Sequence, residues 1–264
     1  MAQSDKSSKR RPIGGERGHL SMDALTADFD IVQRRGGHRH STDDLLTAWY
    51  AALHAPTVDA PRFLDLGTGI GSIGLALAWR FPHATVTAIE VQRESFRLLT
   101  ENIELNAVGS RIHPIHGDLR QLVVEGSFDL VTGSPPYFNV KDGIVSPDPQ
   151  RAGARFELCG DVGDYARAAA RVLGPQGRFV FCFPTVQRAR AERACAAAGL
   201  SLLRSRDVVP LEGRPPLFTL FLCGPGGSGT THEHEPALNV RSRLGEHTAE
   251  MLAARALFGM PRPG

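Results

Sequence analysis

The 264-residue chain has no apolar stretch near the roughly 20 residues that span a bilayer. Its first residues, MAQSDKSSKRRPIGGERGH, carry charge with no apolar run behind them, so they do not read as a secretory signal. Cysteine is scarce. Cys159, Cys182, Cys195 and Cys223 lie far apart without a CxxC pair. Three of them sit in apolar segments, so they are expected to be buried free thiols in a reducing compartment, the cytoplasm. A disulfide scaffold is not needed by a chain of this size. THEHE (231–235) has no Cys or Asp at ligand spacing, so no metal is expected. Internal repeats are absent, and so is an excess of one charge: the formal net charge is +2.

The distribution of charge says more than its sum. Lys6, Lys9, Arg10, Arg11 and Arg17 crowd the first segment, and Arg34, Arg35 and Arg39 follow in QRRGGHRH. A second arginine-rich stretch runs from Arg151 to Arg214. Such patches supply sequence-independent attraction to nucleic acid. Arginine outnumbers lysine throughout, so scattered arginines on a solvated face explain the same pattern. Residues 1–20 are expected to form a disordered basic tail. Residues 21–264 then form one domain: an N-terminal cover (21–60), a core (61–223), and a linker with a C-terminal helix (224–264).

Within that domain strand and helix patterns alternate. RFLDLG (62–67) reads as a strand and SIGLALAWRF (72–81) as a helix. TVTAIEV (85–91) is a strand and RESFRLLTENIELNA (93–107) an amphipathic helix. RIHPIHG and FDLVTG are strands, DYARAAARVL is a helix stopped by GPQG, and RFVFCF is a strand. The helix QRARAERACAAAG, the strands SLLRSRDVV and LFTLFLC, a flexible link GPGGSGTT and a last helix HTAEMLAARALF complete the chain. Seven strands alternating with helices predict a mostly parallel, Rossmann-like α/β sheet covered on both faces. Ligands of such sheets bind beyond the carboxyl ends of the strands.

The first of those ends is DLGTGIG, from Asp65 to Gly71. Gly67, Gly69 and Gly71 let the backbone turn sharply and approach a ligand closely, with Thr68 between them. Glu90 ends the next strand, 23 positions after Gly67, where a carboxylate can accept both hydroxyls of a ribose. Together they suggest an adenosine-containing cofactor. Asp65, two residues before Gly67, would repel a pyrophosphate and suit a cation. S-adenosylmethionine carries an ammonium and a sulfonium, and DLGTGIG resembles the first motif of class I methyltransferases that use it. That resemblance implies cofactor contacts from Asp65, Gly67, Thr68, Gly69, Gly71 and Glu90. It implies one from Asp118, in HGD, to the adenine; capping the following LRQLV segment explains Asp118 equally well.

GSPPYF (133–138) ends the FDLVTG strand on two residues that donate no backbone hydrogen bond. A simple turn would use Gly or Asn, so a stop this stiff holds something at the strand end. With a methyl donor in place, the problem is an exocyclic amine whose lone pair is delocalised into its ring. Acceptors on both N–H bonds localise that lone pair, and the Pro135 carbonyl and the Ser134 hydroxyl, stiffened by Pro135 and Pro136, suit that task. Tyr137 can stack on an extruded base. SPPY resembles the (N/D/S)PP(Y/F/W) motif of amino-group methyltransferases.

The likeness extends to a subfamily. FDIVQRRGGHRHSTDDLLTAWYA resembles the segment preceding the cofactor motif in the bacterial adenine-N6 methyltransferases that act on the valine tRNA anticodon loop. Asp43 takes the place of that family's aspartate beside the cofactor. SPDPQRAGARFE (146–157) resembles its arginine-containing segment, and LNVRSRLGEHTAE its closing motif, so the similarity spans about residues 25–250. It implies S-adenosylmethionine as cofactor and tRNA as partner, and Arg39 is expected toward the RNA. Arg151 and Arg155 follow the SPPY loop; on a substrate-facing loop they would hold phosphates, and as surface residues they would do nothing specific. Ser134 stands where that family usually has Asn, His40 where it has an aromatic, and His247 where it has Tyr. SPPY is also the form found in cytosine-N4 DNA methyltransferases. Glutamine-N5 protein methylation and RNA binding without turnover are the other readings left open by the residues.

Overall fold

A computed structural model describes residues 18–141, 143–226 and 231–261. Most of the expected tail and residues 227–230 of the expected link lie outside them. The chain opens with a hairpin, β1 (Leu20–Ala24) and β2 (Asp30–Arg34), then α1 (Thr42–His54). Leu20 is already a strand residue, so the folded domain starts inside the segment assigned to the tail. The alternating core follows as β3 (Arg62–Leu66), α2 (Ser72–Arg80), β4 (Thr85–Glu90), α3 (Arg93–Leu105), β5 (Ile112–His116) and β6 (Phe128–Gly133). Next come α4 (Pro149–Arg155), α5 (Val162–Val172), β7 (Leu173–Pro184), α6 (Arg188–Ala197), β8 (Leu200–Val209), β9 (Phe218–Pro225), β10 (Glu233–Asn239) and α7 (Ala249–Leu257).

The sheet has eight strands, in the order β10-β8-β9-β7-β6-β3-β4-β5, rather than the seven expected. Strands β7, β6, β3, β4 and β5 run parallel, and β9 is antiparallel to both β7 and β8. The eighth strand, β10, lies between the expected link and the last helix, where no element was expected. It pairs in parallel with β8, and its register shifts between Glu235 and Leu238, around Pro236. A proline is tolerated on an edge strand at such a bulge, and its charges guard the open edge. GPQG does not separate helix from strand: β7 begins at Leu173 and runs through it, with a register shift opposite β6 between Phe128 and Leu130.

Helices cover both faces. α1, α2, α3 and α7 bury Leu46, Leu77, Leu98 and Met251 on one side. α5 and α6 bury Val162 and Ala191 on the other, with Phe179, Phe181 and Phe221 stacked at 4.7 and 4.8 Å. The hairpin is closed onto the core by two asparagines of or just after α3. Asn102 accepts from Val32 N (2.7 Å) and donates to Val32 O and Ile70 O, the latter in the glycine loop. Asn106 accepts from Asp30 N and donates to Asp30 O. Buried amide–backbone pairs of this kind fix the position of a loop because leaving either partner unpaired is costly. The four cysteines are free; three are buried and Cys159 is partly exposed.

Candidate active site

The carboxyl ends of β3, β4 and β6 meet at one cavity of about 990 Å³. Its floor is the β3–α2 turn. Gly67, Gly69 and Gly71 all have left-handed φ (58°, 61° and 94°), a region open mainly to glycine. A Cβ on Gly67 would stand 2.0 Å from the Tyr165 hydroxyl, so the turn has no room for a side chain at that position. Asp65 braces it from beneath. Its carboxylate accepts from Thr68 Oγ1 (2.5 Å), Thr132 Oγ1 (2.8 Å) and Gly74 N (3.1 Å) and is 1% exposed. Burial pushes its pKa up, and those three donors oppose the rise.

Glu90 ends β4 at the cavity wall. Its two oxygens accept from Gly69 N (2.9 Å) and Gln92 N (2.6 Å), which ties the glycine turn to the second strand end. Burial pushes Glu90 up to about 7 despite these bonds. Asp43 and Asp44 lie in the first turn of α1, and both line the cavity. Asp44 accepts from Ser72 Oγ (3.0 Å) and Ser41 N (3.2 Å). Burial, then the charge of Asp43, push Asp44 up to about 8.

The SPPY segment follows β6 directly. Tyr137 donates its hydroxyl to Asp43 Oδ2 (2.8 Å) and packs edge-on against Phe183 (6.0 Å). Gln187 Nε2 donates to the Tyr137 carbonyl (2.8 Å), and the Tyr137 and Phe138 amides both donate to Arg155 O. The loop is therefore held by β7, by α4 and by α1 at once. Ser134 Oγ lies 3.3 Å from the buried Cys182 Sγ. His38 and His40 also line the cavity; burial first, then neighbouring arginines, hold both imidazoles below their ordinary pKa.

Of the residues picked from sequence, Asp43, Gly67, Thr68, Gly69, Glu90 and the whole Ser134-Pro135-Pro136-Tyr137 segment line this one cavity. Arg39, Arg151 and Arg155 line it too. Arg39 is tied to Ser21 Oγ and Asp23 Oδ2 of β1, and Arg155 lies over the Phe138 ring at 5.5 Å. Three are placed elsewhere. Asp65 is beneath the turn, Gly71 is the N-cap of α2, and Asp118 caps the short 3-10 turn Leu119–Gln121 while paired with Arg120 at 2.5 Å. Asp44, Tyr165 and Gln187 were missed. The first had a signal, an acidic pair opening a helix; the other two had none.

The donor set fits a cationic, ribose-bearing ligand. Three carboxylates line the wall, two of them desolvated enough to be pushed toward neutrality, and a bound cation relieves that cost. Among the described residues no group of three or more His, Cys, Asp or Glu could hold a metal ion, and no helix is long and apolar enough to cross a membrane.

Fold and site together define a class I S-adenosylmethionine-dependent methyltransferase. The model of the methyltransferase small domain matches residues 45–146. A predicted O-methyltransferase from Agrobacterium tumefaciens shares the fold at a TM-score of 0.62 and 20% identity, covering 84% of this chain and all (100%) of that one. A ribosomal protein L11 methylase from Lactobacillus delbrueckii subsp. bulgaricus does so at 0.54 and 17%, covering 78% and 99%. The tRNA1(Val) (adenine(37)-N6)-methyltransferase of Dyadobacter fermentans is 31% identical over 70% of this chain and 75% of its own length. That of Vibrio vulnificus YJ016 is 30% identical over 78% and 84%. The chain belongs to the tRNA1(Val) (adenine(37)-N6)-methyltransferase family.

Proposed function

We propose that this protein transfers a methyl group from S-adenosylmethionine to N6 of adenine 37 in tRNA1(Val). The observation that carries this reading is one cavity that joins the glycine turn and Glu90 to the rigid SPPY segment. The cofactor supplies an electrophilic methyl on its sulfonium. Gly67, Thr68 and Gly69 give it close backbone approach, Glu90 takes the ribose hydroxyls, and Asp43 with Asp44 faces its ammonium. Asp65 and Gly71 act through the shape of the turn.

The protein's work on the acceptor is positioning. Ser134 Oγ and the Pro135 carbonyl accept the two N–H bonds of the exocyclic amine, which favours a tetrahedral nitrogen with its lone pair free. Two prolines fix the direction of that carbonyl. Tyr137 offers its ring to the extruded base, while its hydroxyl is anchored to Asp43. No strong general base is needed, because the methylated ammonium-like nitrogen is very acidic. Arg39, Arg151 and Arg155 hold phosphates around the cavity mouth. The free thiols fit a reducing cytoplasm.

The test is methyl-labelled cofactor offered separately with bulk tRNA, ribosomal RNA, DNA and release-factor protein, followed by digestion. N6-methyladenosine from tRNA is expected. Label appearing as N4-methylcytosine, or only in protein, would move the acceptor and overturn this reading.

A further inference from the structure

Serine is an awkward replacement for asparagine at a site that must only accept. An amide oxygen has no proton, whereas a hydroxyl has one. A Ser134 proton pointed into the cavity would bind the amine's lone pair, the pair needed for methyl transfer. Counting protons along three contacts behind Ser134 gives that proton a direction. Tyr137 Oη is 2.8 Å from Asp43 Oδ2, a carboxylate oxygen that only accepts, so the phenol proton is used there. Tyr137 Oη is also 3.3 Å from Cys182 Sγ; with its own proton used, the oxygen accepts and the thiol donates. Cys182 Sγ is 3.3 Å from Ser134 Oγ; with the thiol proton used, the sulfur accepts and Ser134 donates.

We propose that Cys182 and Tyr137 are positioning residues that turn the Ser134 proton away from the cavity, so that the hydroxyl presents only lone pairs to the exocyclic amine. The chain Ser134 to Cys182 to Tyr137 to Asp43 makes a serine behave as an asparagine carbonyl would. The inference rests on the amine-methylation reading above. Each link stays protonated as the count requires. Cys182 is fully buried, and burial first, then the charge of Asp43, push its thiol up to about 12. Burial raises the Tyr137 phenol as well. Thr47 Oγ1 is buried without a hydrogen-bond partner, so it adds no link to this chain.

The experiment measures kcat and KM on tRNA1(Val) for the wild type, Cys182→Ala and Cys182→Ser, each also in a Ser134→Asn background. Thermal unfolding is followed for every variant. Cys182→Ala is expected to lower kcat about five- to tenfold, the worth of one neutral hydrogen bond, with KM for the tRNA unmoved. Cys182→Ser, which can accept and donate, restores most of the loss. In the Ser134→Asn background the Cys182→Ala penalty disappears, because an amide oxygen has no proton to turn. If Cys182→Ala does not fold, Tyr137→Phe frees the thiol proton to compete for Ser134 Oγ and is expected to show the same dependence on background. Equal kcat for Cys182→Ala and wild type, or the same penalty in both backgrounds, would overturn this inference alone. Absence of transfer by the wild type itself would overturn the functional reading and this inference with it.

Discussion

Asp65 distinguishes two ways in which a carboxylate can serve a cofactor. The sequence suggests direct contact; the structure puts the carboxylate under the turn, holding Thr68, Thr132 and Gly74. Asp65→Ala removes the acceptor of all three bonds and leaves the Gly74 amide and two hydroxyls unpaired in a site that is 1% open to solvent. An unpaired buried amide alone costs about 1–3 kcal/mol, and the hydroxyls add to it, so a loss of roughly 3–5 kcal/mol is expected. For a domain of this size that lowers Tm by roughly 10 °C. Asp65→Asn keeps an oxygen toward Thr68 and Gly74, and Thr132 can rotate its hydroxyl to accept from the amide nitrogen. It gives up charge-assisted bonds but no longer buries a charge, so about 1 kcal/mol is expected. The assay is thermal unfolding paired with calorimetric titration of S-adenosylmethionine. If Asp65 acts through the turn, affinity falls with stability, steeply for Ala and little for Asn. Equal loss of affinity in both variants with Tm unchanged would refute the bracing argument and return Asp65 to direct contact.

Other consequences follow from the same geometry. Gly67→Ala forces a Cβ against the Tyr165 hydroxyl at a left-handed φ, so cofactor binding and Tm should both drop; adding Tyr165→Phe should recover part of the loss, and no recovery would show that the clash is elsewhere. Glu90 and Asp44 sit above their unfolded pKa values, at about 7 and about 8, so the folded state holds protons that the unfolded chain releases near pH 4. The stability they contribute is complete below that pH and is lost as pH rises through 7 to 8; a Tm that climbs over pH 6–9 would contradict it. Binding a cation ionises them, so titrations in buffers of different ionisation enthalpy should report proton release. Replacing Arg151 and Arg155 with Gln should raise KM for tRNA and flatten its salt dependence without changing cofactor affinity; an unchanged salt slope would remove them from the RNA contact.

Much of the core was legible because β3, α2, β4 and α3 repeat a simple period, and each begins or ends within two residues of its expected bound. The glycine turn and SPPY could be read as parts of one site because parallel strands bring their carboxyl ends together. What escaped had its pattern masked. β10 carries His, Glu and Pro236 at an edge, where neither burial nor full pairing is required. α4 starts at Pro149 and contains Gly153, so no helix was expected there, although Asp148 caps it. The hairpin has only five residues per strand and relies on Asn102 and Asn106, about 70 positions away, for part of its hydrogen bonding. Asp118 was balanced between cap and ligand contact because a capping aspartate and a binding one look alike in sequence. The link from Ser134 to Cys182 spans 48 positions and leaves no local signal.

The most direct measurement uses a tRNA1(Val) transcript, with a second transcript carrying guanine at position 37, incubated with the protein and methyl-labelled S-adenosylmethionine. Nuclease digestion and mass spectrometry then locate the label. The account predicts one N6-methyladenosine at position 37 of the first transcript and none in the second. Label at another position or base, or equal label in both transcripts, would contradict it.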